Sequence, residues 1–216
     1  MNEARWQHTA TLLNNGTVLV TGGPSNTAEI YDPGSGTWRY TAHAMNLARS
    51  SHTAVRMTDG RVLIAGGTPS ASPAEVFDPT TEQFTLTNAM NANHSLSPGI
   101  LLNDGRVLVV TGSLGYFGIG VSEIYNPATN SWTKTPGIPV GVSQMAAVKL
   151  SNGTVLAMGG YDGYTRTADS NVDQYNPVTN SVNEMAIALA RLNQTATLLP
   201  SGSLQDIAEQ MGKSLV

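Results

Sequence analysis

The stretch DGRVLIAGG, residues 59–67, reads as a tight turn, an apolar run and a pair of glycines. It returns, lightly edited, as NGTVLVTGG at 15–23, DGRVLVVTGS at 104–113 and NGTVLAMGG at 152–160. The turn glycines Gly16, Gly60, Gly105, Gly153 and Gly202 stand 44, 45, 48 and 49 residues apart. A period of roughly 40 to 50 residues is that of a propeller blade, with one four-stranded sheet per repeat.

Each copy divides into four short strands. The first is HTATLL (8–13), then HTAVRM (52–57), GILL (99–102), AAVKL (146–150) and QTATLL (194–199). An Asn-Gly or Asp-Gly dipeptide follows and predicts a two-residue hairpin turn with both residues at positive φ. The VLV phrase is the second strand. Its lack of alternation fits a strand covered on both faces. The third strand is AEIYDP, with counterparts AEVFDP, SEIYNP and VDQYNP, each running into an Asp-Pro or Asn-Pro turn. The fourth carries Trp38, Phe84, Trp132 and Val182, each seven residues after Tyr31, Phe77, Tyr125 and Tyr175. Such ring pairs are expected to pack between blades, since aromatic side chains bury large areas.

Diglycine, then Tyr, then Trp at these spacings resembles the kelch repeat, over roughly residues 1–202. The fourth copy, MGGYDGYTRTADSNVDQYNPVTNSV, is the most similar. The resemblance implies an all-β, kelch-type β-propeller. Ser113 in the third copy stands in place of the second glycine, and Val182 in the fourth in place of the aromatic anchor. Blades are expected at about 6–48, 49–93, 94–141 and 142–190, with part of a fifth at 191–202. The opening MNEAR matches MNLAR at 45–49, so the chain begins on the way out of a preceding blade. No glycine pair follows Gly202. Residues 203–216 instead space Leu204, Ile207, Ala208, Met211 and Leu215 at helical intervals, and a short helix or disordered tail is expected there. Four blades and one strand predict an incomplete ring, either a slice of a longer propeller, a small ring closed by its tail, or one closed by self-association through open blade edges.

Composition narrows the chemistry. Eleven Lys and Arg against fifteen Asp and Glu give a formal net charge of −4, which argues against a nucleic-acid partner. No apolar run reaches membrane-spanning length, and the N-terminus MNEARWQHTA has no apolar signal core. Localisation is otherwise open. The chain has no Cys, which excludes disulfides and thiolate sites. It also excludes the Cys-linked Tyr of the copper site in galactose oxidase, which resembles a kelch propeller too. His8 and His52 share a column whose other members are Ser97, Met145 and Gln194, too few ligands for a metal ring. No cofactor or catalytic residue is assigned.

Counting strand reversals puts the tight strand 1–2 and 3–4 turns on one face, and the strand 2–3 loops and blade-to-blade connections on the other. The 2–3 loops lengthen along the chain, from 24–28 and 68–74 to 114–122 and 161–172. The last two contain Tyr116, Phe117, Tyr161, Asp162, Tyr164 and Arg166, aromatics and charge on a rigid scaffold where binding commonly sits. Before strand 1 the aligned residues are Arg5, Arg49, His94, Val142 and Arg191. Matching arginines in kelch propellers that bind acidic peptides lie near the central channel. The alternative is that each Arg holds backbone carbonyls of a neighbouring blade. These residues make Arg5, Arg49, Arg191, Tyr116, Phe117, Tyr161, Asp162, Tyr164 and Arg166 the candidate ligand set for a protein or glycan. The expected function is a kelch-repeat binding module. The alternative is a non-copper propeller enzyme, sugar epimerase- or oxidase-like, or a truncated fragment of one.

Overall fold

A computed structural model of the chain describes residues 1–68, 73–114, 117–119, 121–136, 142–162, 164–185 and 196–198. Tyr116, Arg191, most of the fifth copy and the tail at 203–216 lie outside the described residues.

The first blade is the antiparallel sheet β1 (Thr9–Leu12), β2 (Val18–Thr21), β3 (Ala28–Asp32) and β4 (Thr37–Tyr40), in that order. The second is β5 (Thr53–Arg56), β6 (Val62–Ala65), β7 (Glu75–Asp78) and β8 (Gln83–Leu86). In the third copy β9 (Gly99–Leu101) and β10 (Val107–Val109) are followed by a small ribbon, β11 (Gly112–Leu114) with β12 (Phe117–Ile119). β13 (Glu123–Asn126) and β14 (Ser131–Lys134) then complete the blade. A short strand, β15 (Val142–Ser143), leads into the fourth copy, where β16 (Ala146–Lys149) and β17 (Val155–Met158) come next. A second hairpin, β18 (Tyr161–Asp162) and β19 (Thr167–Ala168), precedes β20 (Val172–Asn176) and β21 (Ser181–Glu184). The fourth blade is β16-β17-β20-β21, and β15-β18-β19 form a separate small sheet.

The first strands of successive blades touch, β1 with β5, β5 with β9 and β9 with β16, so strand 1 is innermost. No comparable contact joins β16 back to β1 among the described residues. Apolar side chains fill the gaps between blades. Leu13, Leu19, Ala28 and Ile30 of blade 1 meet Val62, Ile64, Phe77 and Phe84 of blade 2. Val55, Leu63 and Val76 meet Val107, Val109 and Tyr125, and Leu108 and Ile124 meet Val155, Ala157 and Tyr175. Each Leu, Ile, Val or Phe among them contributes roughly 1.5–3 kcal/mol of burial. The unalternating VLV phrase is thereby explained, because successive residues face opposite neighbours and both are dry. The ring pairs are formed as expected, with centroids 4.8 Å apart for Tyr31–Trp38, 4.8 Å for Phe77–Phe84 and 5.1 Å for Tyr125–Trp132.

Two details of the repeat differ from the expectation. The strand 1–2 turns are not two-residue turns with paired positive φ. Only the glycine is left-handed, at φ 85° for Gly16 and 89° for Gly60. Gly16 N–H donates to Leu13 O and Leu13 N–H to Thr17 O. This is a type I turn closed by a glycine bulge, which needs one positive φ instead of two. In the third copy, Val109 pairs with Glu123 as Ile64 pairs with Glu75. That register puts Gly112 in the place of Gly67, and Thr111, not Ser113, is the residue standing where a glycine was expected.

Candidate functional site

The strand 2–3 loops and the blade-to-blade connections do meet on one face. Their meeting explains the diglycine. A Cβ on Gly66 would overlap the carbonyl of His94 in the next connection, and one on Gly22 would lie 2.5 Å from Arg49 O. The second glycine gives way to its own blade's connection, as where a Cβ on Gly67 would lie 2.6 Å from Ser50 O. Gly23 and Gly67 donate their N–H groups to Arg49 O and His94 O.

The connections themselves are clamped by a buried carboxylate at the start of strand 3. Glu29, Glu75 and Glu123 are fully buried. Glu75 accepts from Asn46 N at 2.7 Å, Asn46 Nδ2 at 2.9 Å, Leu47 N at 3.0 Å and Arg49 Nη2 at 2.9 Å. Glu29 receives Asn2 N and Arg5 Nε, and Glu123 receives Asn91 N, Ala92 N and His94 Nε2. Burial works to raise the Glu123 carboxyl, but the hydrogen bonds from His94, Asn91 and Ala92 outweigh it and hold the group low.

This clamp decides the roles of two candidate ligand residues. All five N–H groups of Arg5 are engaged, on Glu29, Gly22 O, Thr27 O, Thr27 Oγ1 and Glu3. Arg49 reaches Gly66 O at 3.0 Å, Pro73 O at 3.2 Å and Glu75, and its side chain is fully buried. Burial pulls its guanidinium below the ordinary value, against the pull of Glu75. The geometry supports the alternative in which each Arg holds backbone carbonyls, and neither guanidinium is offered to a ligand. The physical reason is the carboxylate two strands on, which outcompetes an open channel for the cation.

The other described candidates, Phe117, Tyr161, Asp162, Tyr164 and Arg166, lie on the small sheets of blades 3 and 4 and their turn. Tyr161 and Asp162 form β18, and Tyr164 and Arg166 occupy the turn to β19. β12, which contains Phe117, contacts β15 and β18. Both stretches look like loops in the sequence, because two- and three-residue strands carry no period. Asp162 is a turn residue. Its Oδ1 accepts from Tyr164 N at 2.8 Å and its Oδ2 from Thr165 Oγ1 at 2.9 Å. Slight burial tends to raise its carboxyl, and these bonds hold it low. The strand 3–4 turn at Asp32 is built the same way, on Gly34 N and Ser35 Oγ. Tyr164 is 72% exposed, and Arg166 is exposed with φ at 59°. The structure therefore gathers Tyr161, Tyr164 and Arg166 at one hairpin and separates them from Arg5 and Arg49.

Around the axis a second feature escaped the sequence reading. Gln7, Ser51, Leu96 and Gln144 each adopt a left-handed φ, between 51° and 59°. Ser51 N–H donates to Gln7 O, Leu96 N–H to Ser51 O and Gln144 N–H to Leu96 O, so one backbone ladder runs from blade to blade. His52 sits beside it, with Nε2 2.8 Å from Thr9 Oγ1 and 3.1 Å from Thr21 Oγ1. Burial, then Arg49 and His8, push its imidazole down to about 3, so it is neutral and structural. Among the described residues no cluster of three or more His, Asp or Glu could hold a metal ion. No described helix is long and apolar enough to cross a membrane.

Strand 1 innermost, blade on blade, and a turn-rich face opposite a loop-rich one define a β-propeller protein. The Kelch motif matches residues 145–186, the fourth blade, whose sheet order the other three blades repeat, so the fold is that of a kelch-type β-propeller. The solved structure of YjhT is similar, with a TM-score of 0.75 at 13% identity, over 91% of this chain and 75% of that one. That likeness concerns the fold. No curated protein matches the chain.

Proposed function

We propose that the chain is a binding module that meets a protein or glycan on the loop-bearing face of blades 3 and 4. The observation that carries this reading is the β15-β18-β19 sheet, whose turn bears an exposed Tyr164 and Arg166, while Arg5 and Arg49 of blades 1 and 2 are buried in their clamps. A planar guanidinium and a phenol ring suit a carboxylate or sugar hydroxyls. Tyr161 on β18, and the strand β12 that contacts it, would extend the surface. Arg5 and Arg49 enter as scaffold under the site, not as ligand donors.

The test is to change Tyr164 and Arg166 separately to Ala and titrate a panel of glycans and acidic peptides, with folding checked by circular dichroism. Asn15→Ala and Asp78→Ala, on the opposite face, are the controls. A loss of about tenfold or more from either rim variant, without effect from the controls, is expected. Binding that survives both rim changes, or that fails through the control face, overturns the reading.

A further inference from the structure

Among the four described blades the clamp column breaks once. In register with Glu29, Glu75 and Glu123 stands Asp173, and in register with Arg5, Arg49 and His94 stands Val142. Where Asn2, Asn46 and Asn91 donate an N–H, the aligned residue is Pro139, which has none. Asp173 is 3% exposed, and its Oδ1 is buried without a hydrogen-bond partner. Among the described residues the charged groups acting on it are Glu184, its cross-strand neighbour on β21, and Asp169 after β19, both acidic. Its neighbour on β17 is Ala157. Val142 and Ser143 on β15, the segment that the carboxylate would have clamped, are instead held by pairing with Asp162 and Tyr161.

We propose that Asp173 is a pH-sensitive latch: protonated, it leaves β15 and the β18–β19 hairpin seated on blade 4, and ionised, it loosens them. An isolated carboxylate is costly to bury, so the charge is relieved either by holding the proton or by admitting water. Water enters most readily through the short sheet above, whose strands have two residues each. Burial, then Glu184 and Asp169, raise the carboxyl to about 6. The folded state therefore keeps a proton that the unfolded chain has lost. Local stability is full below the ordinary value of 3.8 and declines as pH rises through about 6. Blades 1 to 3 lack the device because each of their carboxylates is bonded to an Arg or His side chain.

The experiment is amide hydrogen exchange on the full chain at about pH 5 and about pH 7.5, corrected for intrinsic rates. In the wild type, the amides of Ser143, Tyr161 and Asp162 should lose protection by about tenfold between the two, the part above pH 5 of a total on the order of a hundredfold set by the displacement of the carboxyl. Amides of β1 and β2 should change far less. Asp173→Asn, which cannot ionise, should abolish the blade 4 difference. An Asp173→Asn chain that keeps the wild-type loss, or an equal loss in blade 1, overturns the latch. Should that variant fail to fold, Glu184→Gln decides: removing the adjacent charge must move the midpoint of the loss to lower pH, and an unmoved midpoint refutes the proposal.

Discussion

Removing either half of the Arg49–Glu75 clamp should destabilise the chain far more than removing any exposed ion pair. Both side chains are fully buried, and Glu75 accepts four hydrogen bonds from the MNLAR connection. Arg49→Ala leaves a buried carboxylate with its three remaining donors, and breaking such a pair costs about 3–5 kcal/mol. Glu75→Ala leaves a buried cation and strips the acceptor from two backbone N–H groups, each a further penalty of about 1–3 kcal/mol. It should be the worse of the two. Arg49→Met with Glu75→Leu relieves the lone charge, so the double change should cost less than the two singles added, by about 2–3 kcal/mol. The pair Arg39–Glu82 is the control, bonded at 3.0 Å but on the surface, and Glu82→Gln should cost about 0–1 kcal/mol. Urea unfolding followed by tryptophan fluorescence measures all of these. A loss below about 1 kcal/mol for Arg49→Ala, or strict additivity in the cycle, would refute the clamp and return Arg49 to the candidate ligand set.

Further expectations follow from the same geometry. Gly66→Ala combines a left-handed φ of 73° with an overlap on the His94 carbonyl, and should cost about 3 kcal/mol or more, read as a lowered urea midpoint. His52 is held near 3 against an ordinary 6.5, so the folded state binds fewer protons than the unfolded one, and its contribution is lost as pH falls below 6.5. Melting temperatures between about pH 4 and 7 should fall on the acid side in the wild type and fall less in His52→Gln. Val182→Trp restores the ring beside Tyr175 that three blades already have, and should raise stability by about 0.5–1.5 kcal/mol in urea titrations.

The blade architecture was legible because repetition multiplies a weak signal. One VLV run is ambiguous between helix and strand, whereas four in register with a turn glycine and a ring pair are not. The face assignment was legible for the same reason, since counting reversals needs no contacts. The clamp was half visible. The Glu of AEIYDP and the Asn of MNLAR both recur at fixed offsets, but nothing in one dimension says that a residue before strand 1 meets one at the start of strand 3. Arg5 and Arg49 were therefore read as a column facing a channel, when burial and a carboxylate had already claimed them. The ladder through Gln7, Ser51, Leu96 and Gln144 left no trace in sequence, because the left-handed turn is imposed by the next blade and not by the residue type. The small sheets over blades 3 and 4 were too short to carry a period.

Where the clamp is intact, the connection is pinned on the 2–3 loop of its own blade, and the loop can do little but close over it. Blade 1 shows the limit: Ser25, Thr27, Glu3 and Arg5 form one hydrogen-bonded network across the loop and the connection. Blade 4 lacks the cation and the asparagine, and there the loop has grown into a hairpin that pairs with the connection by backbone alone. Tyr164 and Arg166 stand exposed there, at the one described blade whose clamp is broken. The loss of the clamp and the projection of the rim are on this view one change. A variant that restores the cation, Val142→Arg, should draw β15 down onto Asp173, and the hydrogen-exchange protection of Ser143 should then cease to depend on pH.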